Sequence, residues 1–154
     1  MKPRYRTSFL FLTLAGLLNV ALVRGRVSGD MPQKLDEFST MNWEETMAHL
    51  DDFAIKLQTD ASAIGVMVIY GGQHRRRFEP DAWAKCVQDY LVTRRGIDAA
   101  RLAVALGGYR DHVTTELWEA TDKRSLPKPK STIKPGEVKF TGADVTKWQT
   151  LCGS

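Results

Sequence analysis

The 154-residue chain has only two cysteines, Cys86 and Cys152, which excludes a cysteine-dense disulfide scaffold. Its three histidines, His49, His74 and His112, stand far apart, so the paired spacing of a zinc site is missing. There is no Walker sequence and no Rossmann glycine fingerprint; Gly71-Gly72 and Gly107-Gly108 are isolated pairs. No Ser or Cys nucleophile can be tied to a base. His112 beside Asp111 reads as a turn, and His49 as a helix-surface residue. Asp51 and Asp52 diverge around a helix instead of forming a carboxylate pair. Glu44 and Glu45 read as first-turn acids favoured by the helix dipole. We expect no enzymatic activity, no metal and no cofactor.

Long apolar runs are also missing. The uncharged stretch Ser8 to Val23 has sixteen residues, short of the about 20 that a spanning helix needs. It follows the basic MKPRYR and precedes compact residues ending at Gly25. That order predicts a signal peptide over residues 1–25, cut after Gly25. The alternative is an uncleaved anchor flanked by Arg24 and Arg26, and it is the one membrane attachment expected. No Cys follows the run, so a lipoprotein anchor is not indicated. The segment also carries the charge excess. Lys2, Arg4, Arg6 and Arg24 supply the whole net +4, and the rest of the chain balances to zero. The basic balance therefore does not argue for nucleic-acid binding.

In an exported chain two cysteines are expected to pair. A Cys86–Cys152 bridge would pin the tail to a helix; the alternative is two separate thiols.

What the sequence does contain is a clear order of elements. Residues 26–34 read as a loose leader and Leu35 to Thr40 as a short strand. Trp43, Met47, Leu50, Ala54 and Leu57 recur at helical steps from Asn42 to about Gln58. Asn42 is a capping residue with Glu45 three positions on, as in a capping box. Ile64 to Tyr70 is a nearly continuous apolar run, fit for a central strand that Gly71 and Gly72 end. Pro80 to about Arg95 predicts a second helix, with Pro80 in its first turn and Gly96 as its stop. Leu102, Val104 and Leu106 alternate in a third strand. Val113 to Ala120 makes a fourth, joined to the third by a hairpin. From Thr121 onward three prolines and six basic residues by Lys139 predict an extended, exposed segment. Val138 to Phe140 is a candidate edge strand, and Asp144 to Leu151 a terminal helical turn carrying Trp148.

Strand, helix, strand, helix, strand, strand predicts an α+β fold. It is a two-layer sandwich with two helices on one face of a mixed four-stranded sheet. The domain is expected over residues 35–120, and the Pro/Lys-rich tail over residues 121–154.

The order and the stretch from Val87 to Asp111 resemble the OmpA-like C-terminal domain. The matching residues are Val87, Tyr90, Leu91, Gly96, Ile97, Arg101, Gly107 and Gly108. The Leu35–Phe38 start and the Glu116–Trp118 strand resemble those of small exported proteins of that kind. The resemblance implies a periplasmic or outer-membrane protein that binds peptidoglycan. Family members grip a diacid residue of the wall peptide with an Asp in the turn after the second strand and an Arg in the second helix. Here the turn is Gly71-Gly72-Gln73-His74, and the helix position, seven before Tyr90, is Trp83. A Trp lacks the charged fork that holds a carboxylate, so the domain reads as degenerate.

Beside that position lie His74, Arg75, Arg76 and Arg77. The candidate ligand-binding surface is therefore Gly71, Gly72, Gln73, His74, Arg75, Arg76, Arg77 and Trp83. Its ligand would be an anion: a wall carboxylate, a lipid phosphate or an acidic partner. The plain alternative is a solvated loop. Trp43, Trp83 and Tyr90 stand at helical spacing, which core packing explains before stacking does. Two functions follow. One is non-catalytic binding in the cell envelope, to peptidoglycan or an envelope protein. The other is an accessory subunit of a larger envelope complex that uses the fold as scaffold. The tail would dock on a partner or on its own sheet, or serve as a linker-like arm.

Overall fold

The computed structural model describes residues 31–39, 41–147, 151 and 152; the proposed signal segment and Trp148 lie outside them. The elements are β1 (Gln33–Phe38), α1 (Trp43–Thr59), β2 (Ile64–Gly72), β3 (His74–Arg75), α2 (Glu79–Asp89), β4 (Leu102–Arg110), β5 (Thr114–Ala120) and β6 (Lys139–Phe140). This is the expected α+β sandwich. The main sheet has the order β1-β5-β2-β4, with β2 parallel to β4 and β5 antiparallel to both its neighbours.

The apolar stripe of α1 makes the helix layer. Leu50, Phe53, Ala54 and Leu57 are buried against Met67 and Ile69 of β2, Leu117 of β5 and Trp83, Val87 and Leu91 of the second helix. Each buried large side chain of this kind contributes about 1.5–3 kcal/mol. Asn42 caps α1 as expected, its side chain accepting from the Glu45 N–H at 3.1 Å. Arg101 closes the other end. Its guanidinium donates to the carbonyls of Leu57, Asp60 and Ala63 at 2.7–3.0 Å. The second helix changes pitch after Asp89, where Tyr90–Arg94 forms a wider π turn. Gly96 then stops it with φ +68°.

Several expectations are corrected. Gly71 and Gly72 are the last two residues of β2 instead of a turn that follows it at Tyr70. They serve close approach: a Cβ at Gly71 would stand 2.7 Å from the Tyr109 ring and 2.9 Å from Pro80. The third and fourth strands do not form a hairpin. β5 passes over the end of β2 and inserts between β2 and β1. β2 is buried on both faces, and a neighbour on each side satisfies its backbone groups. The first strand begins at Gln33, inside the expected leader. The candidate edge strand forms over Lys139–Phe140, paired with β3. Asp144 to Lys147 is not helical.

Two bulges set which side chains face away from the helices. Leu35 is extra in β1, between the pairs Lys34↔Trp118 and Asp36↔Leu117. Gly107 is extra in β4, between Ile69↔Leu106 and Tyr70↔Gly108. Each bulge reverses the alternation beyond it. Lys34 and Glu37 therefore share the outer face, and Arg110 is turned onto that face beside Tyr70.

Candidate functional site

The basic connection is a clasped ridge, not a free loop. His74 and Arg75 form β3, which pairs in parallel with β6 of the tail. The N–H groups of Lys139, Thr141 and Val145 donate to the carbonyls of Gln73, Arg75 and Arg77 at 2.9, 3.1 and 3.0 Å. The tail thus docks on its own domain. Arg76 forks onto Glu79 Oε1, with Nε at 3.2 Å and Nη2 at 3.1 Å. Arg75 Nε stands 3.9 Å from the buried Glu79 Oε2. Arg77 lies over the Phe140 ring at 4.9 Å and is 3.9 Å from Asp144. All three arginines keep about half of their side chains exposed. Half-exposed guanidinium groups of this kind can meet an anion.

Of the expected site residues, the fold brings Gln73, His74, Arg75, Arg76 and Arg77 together. Gly71 and Gly72 are buried in β2. Trp83 is fully buried. Its Nε1–H donates to Thr115 Oγ1 at 3.3 Å, and its ring packs edge-on against Trp43 at 5.7 Å. Trp83 is thus a core residue and presents no surface to a ligand. Phe78, which sequence reasoning passed over, ends the ridge. It has φ 59° and is 55% exposed, and Phe140 across the clasp is 43% exposed.

A second cluster, also missed, occupies the outer face of the sheet. Glu116 on β5 is buried and accepts four hydrogen bonds. Lys34 and Arg110 reach Oε1 at 2.9 and 2.7 Å; Trp118 Nε1–H and the Tyr70 hydroxyl reach Oε2 at 3.0 and 3.2 Å. Glu37 closes the ring, accepting from Lys34 at 2.5 Å and from Arg110 at 3.1 Å. Burial alone would raise the Glu116 pKa. Hydrogen bonds from Lys34, Arg110 and Trp118 outweigh it and hold the carboxyl below its ordinary value. The tail locks on here too, the Lys130 N–H donating to the Tyr70 hydroxyl at 3.1 Å. The available signal was a Glu among apolar residues in a strand expected to be buried; nothing in the sequence named its partners.

Cys86 and Cys152 form the expected disulfide, with Cα atoms 5.6 Å apart. It borders a groove lined by Trp43, Met47, Tyr90 and Arg94. Tyr90 and Arg95 both bond Asp51 at its side. Burial, then the bond to Asp51, raises the Tyr90 pKa. His49 stacks on Phe38 and bonds Asp36 at 2.6 Å. Among the described residues no group of His, Cys, Asp and Glu is placed to hold a metal, and no helix is long and apolar enough to cross a membrane.

Comparison with protein-family models, with curated proteins and with solved structures finds no match to this chain.

Proposed function

We propose that this protein is a non-catalytic binding protein of the cell envelope, with an adapted OmpA-like domain. Its ligand is an anionic envelope component met by Arg75, Arg76 and Arg77. One observation carries the reading: three consecutive arginines stand half-exposed on a ridge held by β-pairing with the tail. Holding the ridge in advance lowers the ordering cost of binding. The Cys86–Cys152 bridge supports an oxidising compartment. The strand and helix order agrees with the one the resemblance implies. Docking of the tail on its own domain counts against the accessory-subunit reading, since that arm is already engaged.

The test is a pull-down of residues 26–154, which contain every described residue, with purified peptidoglycan at low and moderate salt. Retention at moderate salt, lost in Arg75→Ala/Arg76→Ala, supports a built site. Binding that vanishes with salt is nonspecific electrostatics. Unchanged retention of the double variant removes the arginines from the reading.

A further inference from the structure

The ridge carries more than charge. Phe78 is a non-glycine residue in the left-handed region, with φ 59°, where a bulky side chain is strained. Strain of this kind persists where the surroundings enforce it and clusters at functional positions. Yet Phe78 is 55% exposed, so burial of its ring explains little of its presence. Its chain neighbour Arg77 lies on the ring of Phe140, itself 43% exposed. Arg75, Arg76 and Lys139 stand in the same clasp. Phe140, which also packs edge-on against Tyr109 at 6.3 Å, and Phe78, adjacent to Arg77 in the chain, are therefore two exposed aromatic residues in a segment that carries four cations.

We propose that this ridge docks on an anionic phospholipid surface. The inference rests on the envelope-binding reading and names its ligand. The arginines and Lys139 meet the phosphates, and Phe78 and Phe140 enter the headgroup boundary. Phenylalanine beside basic residues can bury its ring at the headgroup–acyl boundary, and basic residues near that boundary are attracted by anionic lipid. Of the neighbouring acids, Glu79 is buried beneath Arg76 and Asp144 is 3.9 Å from Arg77, while Asp81 and Asp111 are exposed nearby. The half-exposed cations are spread along a strand and turn, a footprint suited to a broad surface more than to one enclosed phosphate. The sequence already offered a lipid phosphate among the anions for the arginines; Phe140, set against Arg77 where β6 pairs with β3, and Phe78, next to Arg77 in the chain, add apolar rings to that surface.

The experiment is co-sedimentation of residues 26–154 with vesicles of phosphatidylglycerol and phosphatidylethanolamine, against vesicles of phosphatidylcholine alone. Wild-type protein is expected to bind the anionic vesicles and not the neutral ones. Removing Arg75 and Arg77 as Arg75→Ala/Arg77→Ala should weaken binding by roughly fivefold for each cation. Phe78→Gly relieves the backbone strain, so it should melt no lower than wild type while binding several-fold less. Phe140→Ser tests the second ring without touching the strained position. Equal binding to neutral vesicles, or wild-type binding by all the variants, overturns the proposal. A parallel peptidoglycan pull-down separates the two readings. Retention on the wall without vesicle binding overturns the lipid assignment alone, and no binding to either overturns both.

Discussion

Arg110 and Glu116 meet at 2.7 Å although their strands are not neighbours. β2 runs between them, and its Tyr70 joins them. The Arg110 guanidinium lies 3.6 Å over the Tyr70 ring, and the Tyr70 hydroxyl donates to Glu116. The outer face of the sheet is thereby closed by a charge network that spans all four strands, Lys34 reaching Glu116 from β1.

That network sets an acid limit on stability. The Glu116 carboxyl titrates below its ordinary value of 4.5 in the folded protein. Its contribution is thus fully present above about pH 4.5 and is lost as the pH falls through the folded value. Glu116→Gln should lose roughly 2–4 kcal/mol at neutral pH, because Lys34 and Arg110 are left facing a neutral amide. Urea unfolding of both proteins across acid pH checks this: the gap between them should shrink as the pH drops. A gap that stays constant through acid pH counts against the network.

The bulge that aims Arg110 depends on Gly107. A Cβ there would stand 2.3 Å from the Tyr70 ring, in the interior of the fold. Gly107→Ala should therefore cost about 1–3 kcal/mol through overpacking. Thermal melting reads the loss. Gly136→Ala, where a Cβ meets open space, serves as the control.

Arg101 is expected to act through the helix end it closes. Arg101→Ala leaves the carbonyls of Leu57, Asp60 and Ala63 without their donor, at a cost of about 1–3 kcal/mol for each that stays buried. Arg101→Lys should recover little, since an ammonium cannot span three carbonyls as the planar fork does. Denaturant midpoints of the two variants would coincide on this account, and a near wild-type Lys variant would refute it.

The disulfide closes a separation of 66 residues. In the chain-entropy view such a loop contributes about 4 kcal/mol. Cys86→Ser/Cys152→Ser should lower the melting temperature accordingly and speed proteolysis in the Pro/Lys-rich tail. Reduction of the wild type should reproduce both effects.

Local signals carried most of the fold. The stripe of α1 with its Asn42 cap, the apolar run of β2, Pro80 at a helix start and Gly96 at a helix stop were each legible. Every one is a short-range consequence of side-chain periodicity or backbone freedom. Glycine was legible as punctuation but not as contact. Gly71 and Gly72 read as a terminator, whereas their role is to admit Tyr109, Pro80 and Arg75. Trp83 and the three arginines read as one surface because Trp83 stands where the resembling family places its ligand-gripping Arg. Helix α2 instead turns the indole inward to Thr115 and leaves the arginines outside.

The amino-acid sequence by itself determined the order of the two helices and of the four strands of the main sheet, and the one partner each cysteine could have. Those follow from periodicity and from having no other thiol to choose. Only the tertiary structure decided that β5 enters between β1 and β2, that two bulges turn Lys34 and Arg110 onto Glu116, and that the tail clasps the arginine ridge. These are register and long-range pairing choices. They depend on which strand edge a distant segment fills and on a one-residue slip that moves a side chain to the other face. No local pattern in the chain records either.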